Sequence, residues 1–159
     1  MKALILYDSF FGNTEQIARA VAGALGSPDE VSLCKVDALP PDALKGLTLL
    51  VVGSPTRAFR PSPSIKAFLD AIPAGSLQGV NVSAFDTRIS AGDTDPGFLK
   101  VMIKLFGYAA GPMGKKLQNK GGNLVMPAEG FFVKASEGPL KDGEMERAAG
   151  WGRQIALKS

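Results

Sequence analysis

Two hydroxyl residues, an amide side chain and a glycine crowd into one six-residue stretch, Ser9-Phe10-Phe11-Gly12-Asn13-Thr14. Successive backbone N–H groups at the start of a helix, with hydroxyls beside them, form a nest that suits a phosphate. The same residues would serve equally as a strand-to-helix turn with Asn13 as the helix cap. No lysine or arginine lies between Asp8 and Ile17, so a phosphate here would be held by dipoles and hydroxyls without a cation. The stretch is not a Walker A loop, because it lacks Gly-Lys-Ser/Thr, and it lacks the glycines of a dinucleotide fingerprint. Two later stretches are also dense in polar groups. Gly53-Ser-Pro-Thr-Arg-Ala-Phe-Arg-Pro61 reads on its own as an Arg- and Pro-rich surface turn. Asp86-Thr-Arg-Ile-Ser-Ala-Gly92 reads as an Asx-type turn closing a strand.

Other chemistry is scarce. The chain has no histidine, which removes the commonest general base and metal ligand. Cys34 is the single cysteine, so no disulfide forms within the chain, and its place between Leu33 and Lys35 predicts a small buried thiol. No carboxylate cluster has metal-ligand spacing, so no metal is expected. The net charge of +3 is too mild to imply nucleic acid. Lys100, Lys104, Lys115, Lys116 and Lys120 fall in a stretch with no acid from Pro96 to Pro127. They make a solvated helix face or a docking surface for an acidic partner. The apolar run Ala3 to Tyr7 is too short for a signal-peptide core, and no later run approaches a membrane span. A cytoplasmic protein without stable membrane insertion is the expectation.

The elements that must position these stretches follow from hydrophobic periodicity. Ala3 to Tyr7 is apolar on both faces, as in a strand buried between helix layers. A helix from about Thr14 to Leu25 carries Ile17, Val21 and Leu25 inward and ends at Gly26 and Pro28. Strands are expected at Glu30 to Val36, Leu47 to Val52 and Gly79 to Phe85. Between the last two, Ser62 caps a helix with Pro63 at its first position and Ile65, Phe68, Leu69 and Ile72 on its core face. Asp95-Pro96 opens a further helix with a stripe of Leu99, Met102, Ile103 and Phe106. Gly107, Gly111 and Pro112 should bend or break it before Met113 to Asn119 continues. A fifth strand runs from Asn123 to Met126, resuming at Phe131 to Val133. The segment Pro127 to Leu140, with Glu129-Gly-Phe-Phe, packs on the sheet or faces a partner. Asp142 caps a last helix with Met145, Ala148, Gly152 and Ile155 inward. Alternation of this kind makes one α/β domain over residues 1–159, a doubly wound three-layer sandwich around a five-stranded parallel sheet. A ligand should bind outside the carboxyl ends of its strands.

With the elements in place, Tyr7-Asp-Ser-Phe-Phe-Gly-Asn-Thr-Glu15 resembles the FMN phosphate loop of flavodoxins. Ser9, Gly12 and Thr14 match its pattern of hydroxyls and glycine, and Phe11 stands where a hydroxyl is usual. The second stretch is similar to the second flavin loop, most closely its Ser-Pro-Thr-Arg-Phe form in flavodoxin-like quinone reductases, with Ala58 inserted before Phe59. The third is similar to the loop that meets the polar edge of the ring, with Ile89 where an aromatic residue often stacks. The resemblance implies strand order 2-1-3-4-5 and FMN as cofactor. It implies contacts to FMN from Ser9, Phe10, Phe11, Gly12, Asn13 and Thr14, from Pro55, Thr56, Arg57, Ala58 and Phe59, and from Asp86, Thr87 and Arg88. The function it implies is an electron carrier between redox proteins, or an FMN-dependent oxidoreductase acting on a quinone or NAD(P)H. The basic charge departs from the family, and Arg57, Arg60 and Arg88 beside the ring would favour its reduced, anionic form.

Overall fold

Ala3–Tyr7 forms β1, whose five residues are all buried, because helices cover both of its faces. The computed structural model describes residues 1–90 and 108–159. After β1 the chain forms α1 (Asn13–Leu25), β2 (Val31–Lys35), β3 (Leu49–Pro55), α2 (Pro63–Ala71) and β4 (Asn81–Ile89). It continues through α3 (Ala110–Asn119), β5 (Asn123–Leu124), β6 (Glu129–Val133) and α4 (Glu144–Lys158). The sheet is parallel throughout in the order β2-β1-β3-β4-β5, and β6 also pairs with β4. The fifth position of the sheet is thus occupied by two short strands. β5 lies against Asn81 and Val82, and β6 lies against Phe85 to Ile89.

Alternate residues of each strand supply the two cores. Leu4, Leu6, Leu50, Val52, Val82 and Ala84 pack against Ile65 and Leu69 of α2 and Met113 and Leu117 of α3. Ala3, Ile5, Tyr7, Leu49, Val51 and Phe85 pack against Ile17 and Val21 of α1 and Ala148, Trp151 and Ile155 of α4. In that second layer Phe85, Phe131 and Trp151 meet edge to face, each pair of ring centres 6.0 Å apart. Gly152 lets α4 approach α1, since a Cβ there would sit 2.9 Å from the Val21 carbonyl oxygen.

Several boundaries differ from the sequence reading. β3 begins at Leu49, because Lys2 holds Thr48 through backbone and hydroxyl bonds before the ladder starts, and it runs on to Pro55. β4 runs through Asp86, Thr87, Arg88 and Ile89, so the first part of the supposed third loop is strand. These residues gain partners on both sides, Ser54 and Pro55 of β3 and Gly130 to Val133 of β6, which the local sequence does not reveal. Gly111 and Pro112 do not break α3 but sit in its first turn, where a missing N–H costs nothing. Asp142 does not cap α4. Gly143 does so in a left-handed conformation (φ 84°), Met145 faces outward and Trp151 takes an inward place. Ser62 caps α2 as expected, accepting the Ile65 N–H at 3.3 Å. The helix expected from Asp95, with Leu99, Met102, Ile103 and Phe106, lies outside the described residues, as do Lys100 and Lys104.

Asp70 pairs with Lys66 within α2 (2.6 Å) and ties α2 to α3 through Lys116 (2.5 Å). The Lys116 and Lys66 ammonium groups hold its carboxyl at about 2, below the ordinary value of 3.8. A depressed carboxyl in the folded state stabilises above the ordinary value, and that contribution is lost as pH falls toward the folded one. We expect the stability difference between wild type and Asp70→Asn, read from urea midpoints, to be present at pH 6 and to vanish between about pH 4 and about pH 2. A difference that does not change with pH would contradict the ion pairs.

Candidate functional site

The turn after β1 is built by its own polar groups. Asp8 is buried and accepts the Ser9 N–H at 2.9 Å, while the Asp8 N–H donates to the Gly53 carbonyl at 3.1 Å, fixing the turn to β3. The Ser9 hydroxyl accepts the Gly12 N–H at 3.1 Å. Gly12 takes a left-handed conformation (φ 92°) and leads into α1, whose N-terminus no side chain caps. The Thr14 and Thr87 hydroxyls lie 2.8 Å apart, joining α1 to β4. One donates to the other, and the acceptor's own proton is left for the space beside them. Asn13 does not cap the helix; its amide donates to the Glu137 carbonyl at 3.1 Å.

The second wall is a tight hairpin. Arg57 and Arg60 exchange backbone hydrogen bonds at 2.9 Å, with Ala58 (φ 47°) and Phe59 (φ 67°) between them. Both central residues lie in the left-handed region, the pattern of a type I′ turn, yet neither is glycine or asparagine. The turn aims the Arg57 guanidinium over the half-exposed rings of Phe10 and Phe11, 5.0 and 5.7 Å from their centres. A cation therefore bridges the first and second stretches.

The third wall comes from the end of β4. Asp86 has no exposed surface. Its carboxylate accepts Arg88 Nε at 2.6 Å and Nη2 at 2.8 Å, and also the Ala110 N–H at 2.8 Å. Thr56 adds a bond from its hydroxyl to Asp86 and accepts the Ala109 N–H at 3.1 Å. Burial pushes the Asp86 carboxyl up, and Arg88, the Ala110 N–H and Thr56 oppose the rise. The Arg88 guanidinium lies 3.9 Å from the centre of the Tyr108 ring. A Cβ at Gly130 would fall 2.1 Å from Arg88 Cζ, so a side chain there would displace the guanidinium.

These walls enclose a cleft of about 390 Å³ at the carboxyl ends of β1, β3 and β4. Of the residues singled out in the sequence, Ser9, Phe10, Phe11, Asn13, Thr14, Pro55, Thr56, Arg57, Ala58, Thr87 and Arg88 line it. Gly12 shapes the turn behind it. Phe59 lies outside the lining, because the hairpin turn carries it past the cleft. Asp86 is also outside, its oxygens committed to Arg88 and to the start of α3. Ile89 lines the cleft where an aromatic residue was the alternative, and Val133, Ser136 and Glu137 complete it. Val133 is the last residue of β6, and Ser136 and Glu137 come from the chain after it. The Ser-Glu-Gly-Pro composition at residues 136–139 marks a turn there, but nothing local says what it faces.

The donor set fits a phosphomonoester carrying a flat ring. Hydroxyls and an uncapped helix N-terminus meet at one end, where the Ser9 to Thr14 stretch itself carries no cation. Pro55 to Ala58 and Thr87 to Ile89 flank a slot beside it.

The flavodoxin family model matches residues 5–151. Among solved structures, a flavodoxin from the domain Archaea is 22% identical, with a TM-score of 0.75 over 99% of this chain and 98% of that one. Flavodoxin 2 from Bacillus cereus is also 22% identical, with a TM-score of 0.75 and full coverage of both chains. A WrbA-like flavodoxin from Agrobacterium tumefaciens is 22% identical, with a TM-score of 0.70 over 98% of this chain and 95% of that one. No curated protein matches the sequence.

A left-handed conformation costs a non-glycine residue about 1–2 kcal/mol, and asparagine tolerates it better. Ala58→Asn should therefore raise the thermal midpoint by about 2 °C, at the 2–4 °C per kcal/mol typical of this chain length. Calorimetry decides it, and a lower midpoint would mean that the Ala58 methyl is needed where it stands.

Proposed function

Because this chain belongs to the flavodoxin family, whose members bind FMN and transfer electrons, we propose that it is a one-domain carrier that docks acidic redox partners in the cytoplasm. Bound FMN supplies the ring that accepts and releases electrons. The Ser9 and Thr14 hydroxyls and the first-turn N–H groups of α1 hold the phosphate. Pro55 to Ala58 and Thr87 to Ile89 hold the ring, and the Thr87 bond to Thr14 keeps the two ends in register. Thr56 N–H donates to the Thr87 carbonyl at 3.0 Å, which fixes the second wall to the third.

The observation that carries the partner assignment is the charge beside the cleft. Arg60, Lys66 and Lys116 rim a shallow hollow of about 240 Å³ floored by Pro61, Leu69, Pro112 and Met113. Among the described residues Asp70 pairs with Lys66 and Lys116, and Arg57 adds a fourth cation at the cleft mouth. Such a surface attracts an acidic patch and receives an apolar side chain at its centre. Arg88 contributes little, because Asp86 matches its charge at contact distance.

A second reading has its own support. Phe10, Phe11 and Arg57 make a flat apolar and cationic face at the cleft mouth, which suits a quinone in an FMN-dependent oxidoreductase. Steady-state oxidation of NAD(P)H with a benzoquinone acceptor would favour this reading, and its absence would favour the carrier.

The holoprotein, reduced with dithionite, can be mixed with hexacyanoferrate(III) and with hexaammineruthenium(III). Oxidation by the anion should slow with added salt and oxidation by the cation should not. Arg60→Glu with Lys116→Glu should weaken the preference for the anion about tenfold at low ionic strength. Equal salt dependence for both acceptors would overturn the assignment of an acidic partner.

A further inference from the structure

Beyond β6 the chain folds back as a short hairpin. Lys134 N–H donates to the Pro139 carbonyl at 2.8 Å, Lys141 N–H to Phe132 at 2.9 Å, and Gly138 N–H to Ala135 at 2.9 Å across the tip. The tip lands on the turn after β1. Asn13 donates its amide to the Glu137 carbonyl at 3.1 Å, joining residues 124 apart in sequence. Gly138, in a left-handed conformation (φ 104°), leaves room for that amide, since a Cβ would sit 2.6 Å from Asn13 Oδ1. The contact brings Ser136 into the cleft lining beside Ser9, Asn13 and Thr14. The Ser136 hydroxyl makes no hydrogen bond among the described residues.

Phe11, half-exposed with the Arg57 guanidinium over its ring, lines the same cleft. Phe11 brings no donor to the anion. The lining thus holds an apolar residue at position 11 of the turn after β1 and an uncommitted hydroxyl held beside that turn by Asn13 and Gly138. We infer that Ser136 is a phosphate ligand of the flavin site, donated by the hairpin after β6, and that Asn13 and Gly138 are the residues that position it. The inference rests on the FMN site described above. The adjoining Glu137 presents its carbonyl to Asn13, and its carboxylate is exposed, where solvent and salt screen it.

A hydroxyl bonded to a charged group is worth about tenfold in affinity when removed. The test compares FMN with riboflavin, which carries the same ring without the phosphate, by quenching of flavin fluorescence on titration with apoprotein. In Ser136→Ala the Kd for FMN should rise about tenfold and that for riboflavin should stay as in wild type. Ser136→Asp, which sets a carboxylate against the anion, should weaken FMN further and again spare riboflavin. Ser136 is exposed, so neither variant should disturb the fold, and unchanged thermal midpoints of the apoproteins check this. Equal losses for both ligands, or no loss for FMN, would overturn the assignment of Ser136 while leaving the flavin site standing. Wild-type protein that fails to bind FMN would overturn both.

Discussion

A carboxylate with no exposed surface governs how this cleft is built. Asp86 sits near the end of β4, where burial pushes its carboxyl up and Arg88, the Ala110 N–H and the Thr56 hydroxyl oppose that rise. An isolated carboxylate in that position would lose several kcal/mol of solvation, and two guanidinium bonds plus a backbone donor offset that loss. The arrangement is shared between two jobs. One oxygen fixes where α3 starts, and both orient the cation that walls the cleft.

The consequences spread outward from Arg88. Its guanidinium lies 3.9 Å from the centre of the Tyr108 ring and close to Gly130, where a Cβ would meet it. Any side chain at residue 130 would displace it, so the residue opposite Asp86 in the ladder has to be glycine. Gly53 answers the same kind of demand in the next strand, where a Cβ would fall 2.1 Å from the Phe85 ring. A pair matched in charge leaves the inner wall of the cleft close to neutral. The unmatched cations sit farther out, at Arg57 and Arg60, where they bear on what approaches the cleft more than on what lies inside it.

Much of this was legible in the sequence. Continuous apolar runs mark strands covered on both faces, as Ala3 to Tyr7 and Leu49 to Val52 prove to be. Ser62-Pro63 announced its helix through local chemistry alone. The three polar stretches lie at the carboxyl ends of β1, β3 and β4 and converge as a doubly wound sheet requires. What stayed hidden depends on partners distant in sequence. Asp86 looked like a ligand because its oxygens could not be assigned to Ala110, 24 residues on, or to a guanidinium that stacks elsewhere. Phe59 looked like a ring contact because nothing in Arg-Ala-Phe-Arg signals two left-handed residues in succession.

The split fifth strand explains why the hairpin after β6 can reach the cleft at all. Between its pairing with Val82 and its pairing with Phe85, the β5–β6 side carries two more residues than β4 does. An insertion of two keeps the alternation of faces, so Phe131 still enters the layer with Phe85 and Trp151. It also shifts the register: the unbroken β5 pairing would set Glu129 beside Thr87, and the insertion sets it beside Phe85, so that Val133 ends level with Ile89. The chain therefore leaves the sheet at Val133, at the height of the cleft, and a short return suffices to set Ser136 against the turn after β1. Strand register, and not loop length, is what brings a fourth segment of chain to the phosphate end.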